Sequence, residues 1–245
     1  MEENANPVEM QEKTDNPFQT ILNVFLSPAK AFQNLDKKPV WVYAFIIILL
    51  FAFAFQFMAK DLLIQDRIDK IEHSERLTRE QKDSQIENAS KAYDPPIIYV
   101  TFAIIAVFSL LFNAIASGLL MVTGNVIMGG KTSFKKMFSM YIHTGLVSLP
   151  NFGVKLPIIL SKKSLDVQTG FAVFLDANSA ETFFYRFMSH IDLFAAWQVI
   201  LVAIGFSMLY KFNFKKSLTV IIVLQLIYSL IAAAGGSILG SAFGG

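Results

Sequence analysis

Val40–Ala59 is a run of twenty residues without a charge, preceded by Lys37-Lys38-Pro39 and followed by Lys60-Asp61. As a helix rising about 1.5 Å per residue it is roughly 30 Å long, the thickness of a bilayer's hydrocarbon core. Twelve of its residues are Val, Ile, Leu or Phe. That content favours insertion by roughly 4–7 kcal/mol before Gln56 is counted against it. The run predicts a membrane-spanning helix, and the rest of the chain must fold in the same solvent. Composition agrees: 54% hydrophobic residues, 24 Phe and 16% charged residues make the chain more apolar than a soluble domain of this size. Because the run starts only at residue 40, is too long for a signal-peptide core and lacks a small-residue cleavage site, it is expected to be retained.

The same numbers narrow the function classes. A net charge of +2, with Lys and Arg scattered among loops, gives no basic face for nucleic acid. The absence of Cys removes disulfides, thiolate metal sites and cysteine nucleophiles. His73, His143 and His190 form no His-Glu-x-x-His pattern, no Gly-x-Ser-x-Gly elbow occurs, and no carboxylate pair shares a span. No catalytic, cofactor-binding or metal-ligating residue is therefore assigned, and the chain reads as non-enzymatic. Gly130-Lys131-Thr132 resembles the end of a phosphate-binding loop, but Asn125 stands where the earlier Gly is needed, so a basic turn is the expectation.

Along the chain, residues 1–15 are polar and read as a disordered tail. Residues 16–39 form an amphipathic segment. Asn16-Pro17 and Ser27-Pro28 are helix starts, and Phe18, Ile21, Leu22, Phe25 and Leu26, then Phe32 and Leu35, recur at helical spacing. Two readings fit this segment: a platform on the membrane surface, or a pair of helices packed on the bundle. Residues 40–245 form a five-span membrane domain, with spans about 40–59, 97–123, 138–160, 191–210 and 218–239. Between the first two lies residues 60–94, a mixed-charge stretch where Thr78 and Gln81 make a capping box and the pattern predicts an extramembrane helical hairpin. The fold class is thus all-α, a polytopic membrane protein.

Five spans place the two ends of the domain on opposite sides. The Lys and Arg counts of the two sides tie at ten, but the loops at 131–136 and 211–216 are short and purely basic, which puts them and the amino terminus in the cytoplasm. Ala114 with Gly118, and Gly236, Gly240 and Gly244, are small-residue rows that predict close helix packing. Phe183, Phe184, Phe187 and Met188 are expected in the interface.

Intramembrane polar residues are the candidates for function. They are Asn113, His143, Asn151, Lys155, Asp192 and Gln225. Thr144, Ser148, Asn151 and Lys155 share one helical face, and Ser109 and Asn113 share another. Such residues either hydrogen-bond helices together, the favoured reading, or line a solute path. Asp192 is expected to pair with Lys155 across two spans or to cap the fourth span.

The segment Asn16-Pro17-Phe18 through Ser27-Pro28-Ala29-Lys30-Ala31-Phe32 to Pro39-Val40-Trp41 carries a family pattern. So do Arg76-Leu77-Thr78-Arg79-Glu80-Gln81, Gly129-Gly130-Lys131-Thr132-Ser133-Phe134-Lys135-Lys136, and Ile191-Asp192-Leu193-Phe194 with Trp197 and Gly205. Over roughly residues 17–235 the chain resembles bacterial members of the Yip (Ypt-interacting protein) domain family. The resemblance implies five helices, a cytoplasmic amino terminus and a carboxyl terminus on the far side of a cell inner membrane. Eukaryotic relatives bind Rab-type small GTPases in vesicle traffic. This chain has neither their long cytosolic amino-terminal region nor an Asp-Leu-Tyr-Gly-Pro motif, so that role is not carried over. The expected role is a membrane scaffold, adaptor or bilayer-organising protein, with a small transporter or channel as the alternative. Expected partners are the lipid bilayer, other membrane or cytoplasmic proteins, and further copies of the chain, with Phe18, Phe25 and Phe32 and the basic loops as the contact surface.

Overall fold

The computed structural model describes residues 16–74, 76–165, 167, 170–176 and 182–244, the last nine as backbone alone. The tail expected at 1–15 and the packing expected of Gly236, Gly240 and Gly244 lie outside the described residues. All regular elements described are helical: α1 (Pro17–Leu26), α2 (Pro28–Lys37), α3 (Val42–Met58), α4 (Lys60–Glu72), α5 (Arg79–Ser90), α6 (Ile97–Val122), α7 (Phe134–Thr144), α8 (Ser148–Lys162), α9 (Phe183–Ser189), α10 (Leu193–Tyr210) and α11 (Phe214–Gly244).

Four helical stretches are long and apolar enough to cross a membrane: Ile97–Ile127, Phe134–Lys162, Leu193–Tyr210 and Phe214–Gly235. A fifth is added if α3 and α4, bent by 67° at Ala59, count as one. The chain is a multi-pass membrane protein. The Phe134–Lys162 stretch is wider than the 138–160 expected and is broken, with a tight 3-10 turn at Gly145–Val147 between α7 and α8. Proline explains the break: Pro150 has no N–H to give to the Leu146 carbonyl, so the ladder tightens just before it.

Helix α10 is the hub. Helices α2, α7 and α11 all pack on it, burying its second half, while Leu193, Ala196 and Ile200 leave an exposed apolar face on its first half. Leu201, Ala203 and Phe206 of α10, Met137 and Met140 of α7, Leu146, and Ala31 and Phe32 of α2 are almost fully buried together. This core sits toward the Tyr210 end of α10.

The amino-terminal helices pack on the bundle as a hairpin. Asn16 caps α1, its Oδ1 accepting from the Gln19 N–H at 2.8 Å while Gln19 Oε1 accepts from the Asn16 N–H; Ser27 begins α2 without a side-chain cap. Phe32 lies at Gly205, where a Cβ would stand 2.5 Å from Met140 Cγ and 3.4 Å from the Phe32 ring. Phe25 meets Trp197 edge-on at 5.8 Å, and Gln33 reaches Met208 Sδ at 3.6 Å. The hairpin thus runs along α10 from Met208 to Trp197, eleven residues or about 16 Å of helix. Phe18, Leu22 and Leu26 point outward. Lys136 donates to Asp36 at 2.6 Å, tying the base of the hairpin to α7.

Helices α4 and α5 pack on each other as a helical hairpin. Ile71 and Ala89 are buried along it, Thr78 and Gln81 make their reciprocal cap, and Lys82 Nζ donates to the Glu72 carbonyl at 2.7 Å. Its remaining charges are solvated; on the exposed pair at 2.6 Å, the hydrogen bond and charge of Lys91 hold the Glu87 carboxyl below its ordinary range.

Gly130-Lys131-Thr132 belongs to a turn built around an aromatic ring. A five-residue π turn, Thr123–Ile127, follows α6, and Gly129 takes φ +72°. Asn125 accepts from the Thr132 N–H and donates to the Thr132 carbonyl, both at 3.1 Å, and Tyr210 Oη donates to Asn125 Oδ1 at 2.7 Å. A Cβ on either Gly124 or Gly130 would fall within the Tyr210 ring. The two glycines serve close approach of a ring, as a phosphate loop's glycines serve close approach of a nucleotide.

Candidate functional site

The Lys155–Asp192 contact begins with backbone. Phe171 N–H donates to the Ile191 carbonyl at 3.1 Å, forming an isolated bridge between Gly170 and Asp192. A Cβ on Gly170 would stand 2.7 Å from that carbonyl, so only Gly lets the strands meet. Asp192 is thereby held at the start of α10, where its Oδ1 accepts from the Ala195 N–H at 2.7 Å. Its Oδ2 lies 3.8 Å from Lys155 Nζ of α8. Both arrangements expected of Asp192 coexist, one on each carboxylate oxygen.

Asp192 also lines a cavity of about 380 Å³ that borders the apolar core at Phe45, Ile142 and Val147. All four membrane-crossing stretches contribute, and α3 as well. Helix α3 supplies Phe45 and Ile48, α6 supplies Ser109 and Asn113, and the α7–α8 stretch supplies Gly145, Ser148 and Asn151. Ser189 and His190, Gln198 of α10, and Gln225 and Tyr228 of α11 complete the lining. The His190 ring stands edge-on to Tyr228 at 6.2 Å.

The polar residues singled out from sequence separate here. Asn113, Asn151, Asp192 and Gln225 line the cavity and Lys155 stands beside it, whereas His143 does not take part. His143 is buried and donates from Nδ1 to the Ser139 carbonyl at 2.8 Å, facing the amino-terminal hairpin across a 30 Å³ gap. Asn113 donates to the Ser109 carbonyl of its own helix at 2.8 Å, and Gln225 to Ser229 Oγ of its own at 3.5 Å. Among the described residues, Ser148 Oγ and Asn151 Oδ1 are buried with no hydrogen-bond partner. Asn113, His143 and Gln225, read as glue between helices, thus bond within their own helices, whereas the Lys155–Asp192 pair joins α8 to α10.

The contact surface expected at Phe18, Phe25 and Phe32 needs correction. Phe32 is wholly buried against α10 and Phe25 is packed on Trp197, so only Phe18, 66% exposed, remains outside. Ser189, His190 and Gln198 were missed as site residues; their one sequence signal is polarity at the edge of an apolar run, beside Asp192. Among the described residues, no three His, Asp or Glu gather as a metal site.

One stability result follows from the two-oxygen arrangement. Asp192→Asn keeps a capping oxygen and loses the ion pair, and is expected to lower stability in detergent by about 1 kcal/mol, since the pair is long and partly solvated. Asp192→Ala also loses the cap and is expected to cost about 1 kcal/mol more. Unfolding midpoints of the two variants check the order; equal midpoints would show that the capping bond contributes nothing.

Fold and site together define a polytopic α-helical membrane protein with an amino-terminal helical hairpin docked on α10 and a cavity lined by both polar and apolar side chains. The family model of the Yip1 domain matches residues 22–235, and the chain belongs to that family. Neither a curated protein nor a solved structure gave a match.

Proposed function

We propose that this protein is a non-enzymatic, bilayer-organising member of the Yip1 domain family, with five spans, its amino terminus in the cytoplasm and its carboxyl terminus on the far side of a bacterial inner membrane. The observation that carries the reading is the α1–α2 hairpin. It adds two helices beside α10 over about 16 Å from the Tyr210 end, and none beside the other end. Phe18, Leu22 and Leu26 on its outer face are exposed and apolar, as a segment facing acyl chains requires. A bundle thicker in its cytoplasmic half displaces more lipid from that leaflet, which bends or organises the bilayer around it. Lys131, Lys135 and Lys215 on the same side are exposed and suit anionic headgroups or an acidic partner.

Reconstitution into vesicles tests this. The full chain is expected to narrow or tubulate vesicles, and a Phe18→Gln, Leu22→Gln, Leu26→Gln variant, altered only at exposed positions, is expected to lose the effect while keeping its fold. Unchanged vesicle dimensions with the full chain would refute the reading. Solute flux through the same vesicles would favour the transporter alternative instead.

A further inference from the structure

The cavity has a charge balance that limits what can occupy it. Its wall carries one carboxylate, Asp192, and the charge that balances it, Lys155, stands 3.8 Å away. A simple cation at Asp192 or a simple anion at Lys155 competes with that pair and answers only one of its two charges. An occupant bearing both signs satisfies both residues at once.

The remaining walls favour hydrogen-bond donors on the positive end. Asn151 and Ser148 have oxygens with no bond to give up when they turn to a ligand. Gln198 and Gln225 add amides to the same lining, and about 380 Å³ holds a group the size of about a dozen waters. A quaternary ammonium, which has no N–H, would leave these acceptors unanswered. Asp192 caps the first turn of α10, at the membrane boundary where lipid phosphates lie, and Lys155 is level with it.

We propose that the cavity binds a phosphoethanolamine group, its primary ammonium between Asp192 and Asn151 and its phosphate on Lys155. This goes beyond the bilayer-organising role, which rests on the α1–α2 hairpin. The group has two sources with one chemistry: the headgroup of phosphatidylethanolamine or a soluble phosphoethanolamine ester.

Binding to the full-length protein in detergent is measured by thermal shift and native mass spectrometry. The probes are phosphatidylethanolamine, phosphatidylcholine, phosphatidylglycerol and soluble glycerophosphoethanolamine. Phosphatidylethanolamine is expected to bind about tenfold or more tighter than phosphatidylcholine, the difference that charge-assisted hydrogen bonds supply. Asp192→Asn, which keeps the helix cap, should abolish the preference. Asn151→Ala, at a site whose oxygen has no bond to lose, should reduce it and decides the matter if the first variant does not fold. Binding of glycerophosphoethanolamine as tight as that of the lipid identifies a soluble ligand; binding of the lipid alone identifies a headgroup. Equal affinity for all three lipids, or a preference unchanged in the folded variants, overturns the proposal. Since vesicle shape is read separately, neither result decides the other.

Discussion

Phe32→Ala is expected to lower stability in detergent by about 3–5 kcal/mol, the range for removing a fully buried phenyl ring. The ring is 0% exposed and lies at Gly205, whose missing side chain leaves the space that Met140 fills. Transfer out of lipid contributes less than transfer out of water, so much of the loss comes from dispersion contacts and the cavity left behind. Since Phe32 holds the hairpin on α10, the loss should be local as well as global. Hydrogen exchange along residues 17–37 should rise ahead of exchange in α10. Phe18→Ala, at an exposed position of the same hairpin, should change neither quantity by more than about 0.5 kcal/mol. If Phe32→Ala left both the midpoint and the exchange of residues 17–37 unchanged, the hairpin would not be docked as described.

The second large effect is expected at Gly124. A methyl group there would enter the Tyr210 ring, lying 2.5 Å from Oη, and the ring has little room to retreat because Gly130 lies against its other edge and Phe212 stacks on it at 5.2 Å. Overpacking of this kind costs about 1–3 kcal/mol, and more where backbone must move. Here the displaced ring would also lose its 2.7 Å bond to Asn125, worth about 1 kcal/mol. Gly124→Ala is therefore expected to destabilise by about 3 kcal/mol, and Gly118→Ala, where nothing lies within 4 Å, by almost nothing. Tyr210→Ala removes the clash, so the Gly124→Ala, Tyr210→Ala double variant should be less destabilised than the sum of the singles. Additive losses would contradict the packing of ring against glycine.

These two sites show what can be read from such a chain. The spanning stretches were legible because length and lack of charge are properties of a segment by itself. Start signals were legible for the same reason: Asn16 with Gln19 and Thr78 with Gln81 make their caps as spaced. The face of α1 was not legible. Ile21 and Val24 pack inward while Phe18, Leu22 and Leu26 face outward, and both faces are apolar because lipid and protein core ask for the same residues. In water the outward face would have been polar and the periodicity would have pointed one way. Phe25 and Phe32, expected on a contact surface, went inward for this reason.

The cavity was half legible. Asn113, Asn151, Asp192 and Gln225 stood out because amides and carboxylates are expensive in hydrocarbon. That they surround one space depends on contacts among segments more than a hundred residues apart, which spacing along one helix does not carry. His143 shared the same signal and went elsewhere, satisfied by the Ser139 carbonyl of its own helix. Gly124 and Gly130 were visible only as an incomplete phosphate loop, because the ring they accommodate comes from α10.

The chain has no native Cys, so single cysteines placed at Ser74, between α4 and α5, and at Ser133, before α7, give an unambiguous reading with a membrane-impermeant thiol reagent on sealed cells. Under the proposed topology of five spans, with the hairpin and the basic loops in the cytoplasm, the cysteine at position 74 is expected to label from outside and the one at 133 only after permeabilisation. Labelling of both from the same face would contradict the topology on which the placement of hairpin and cavity depends.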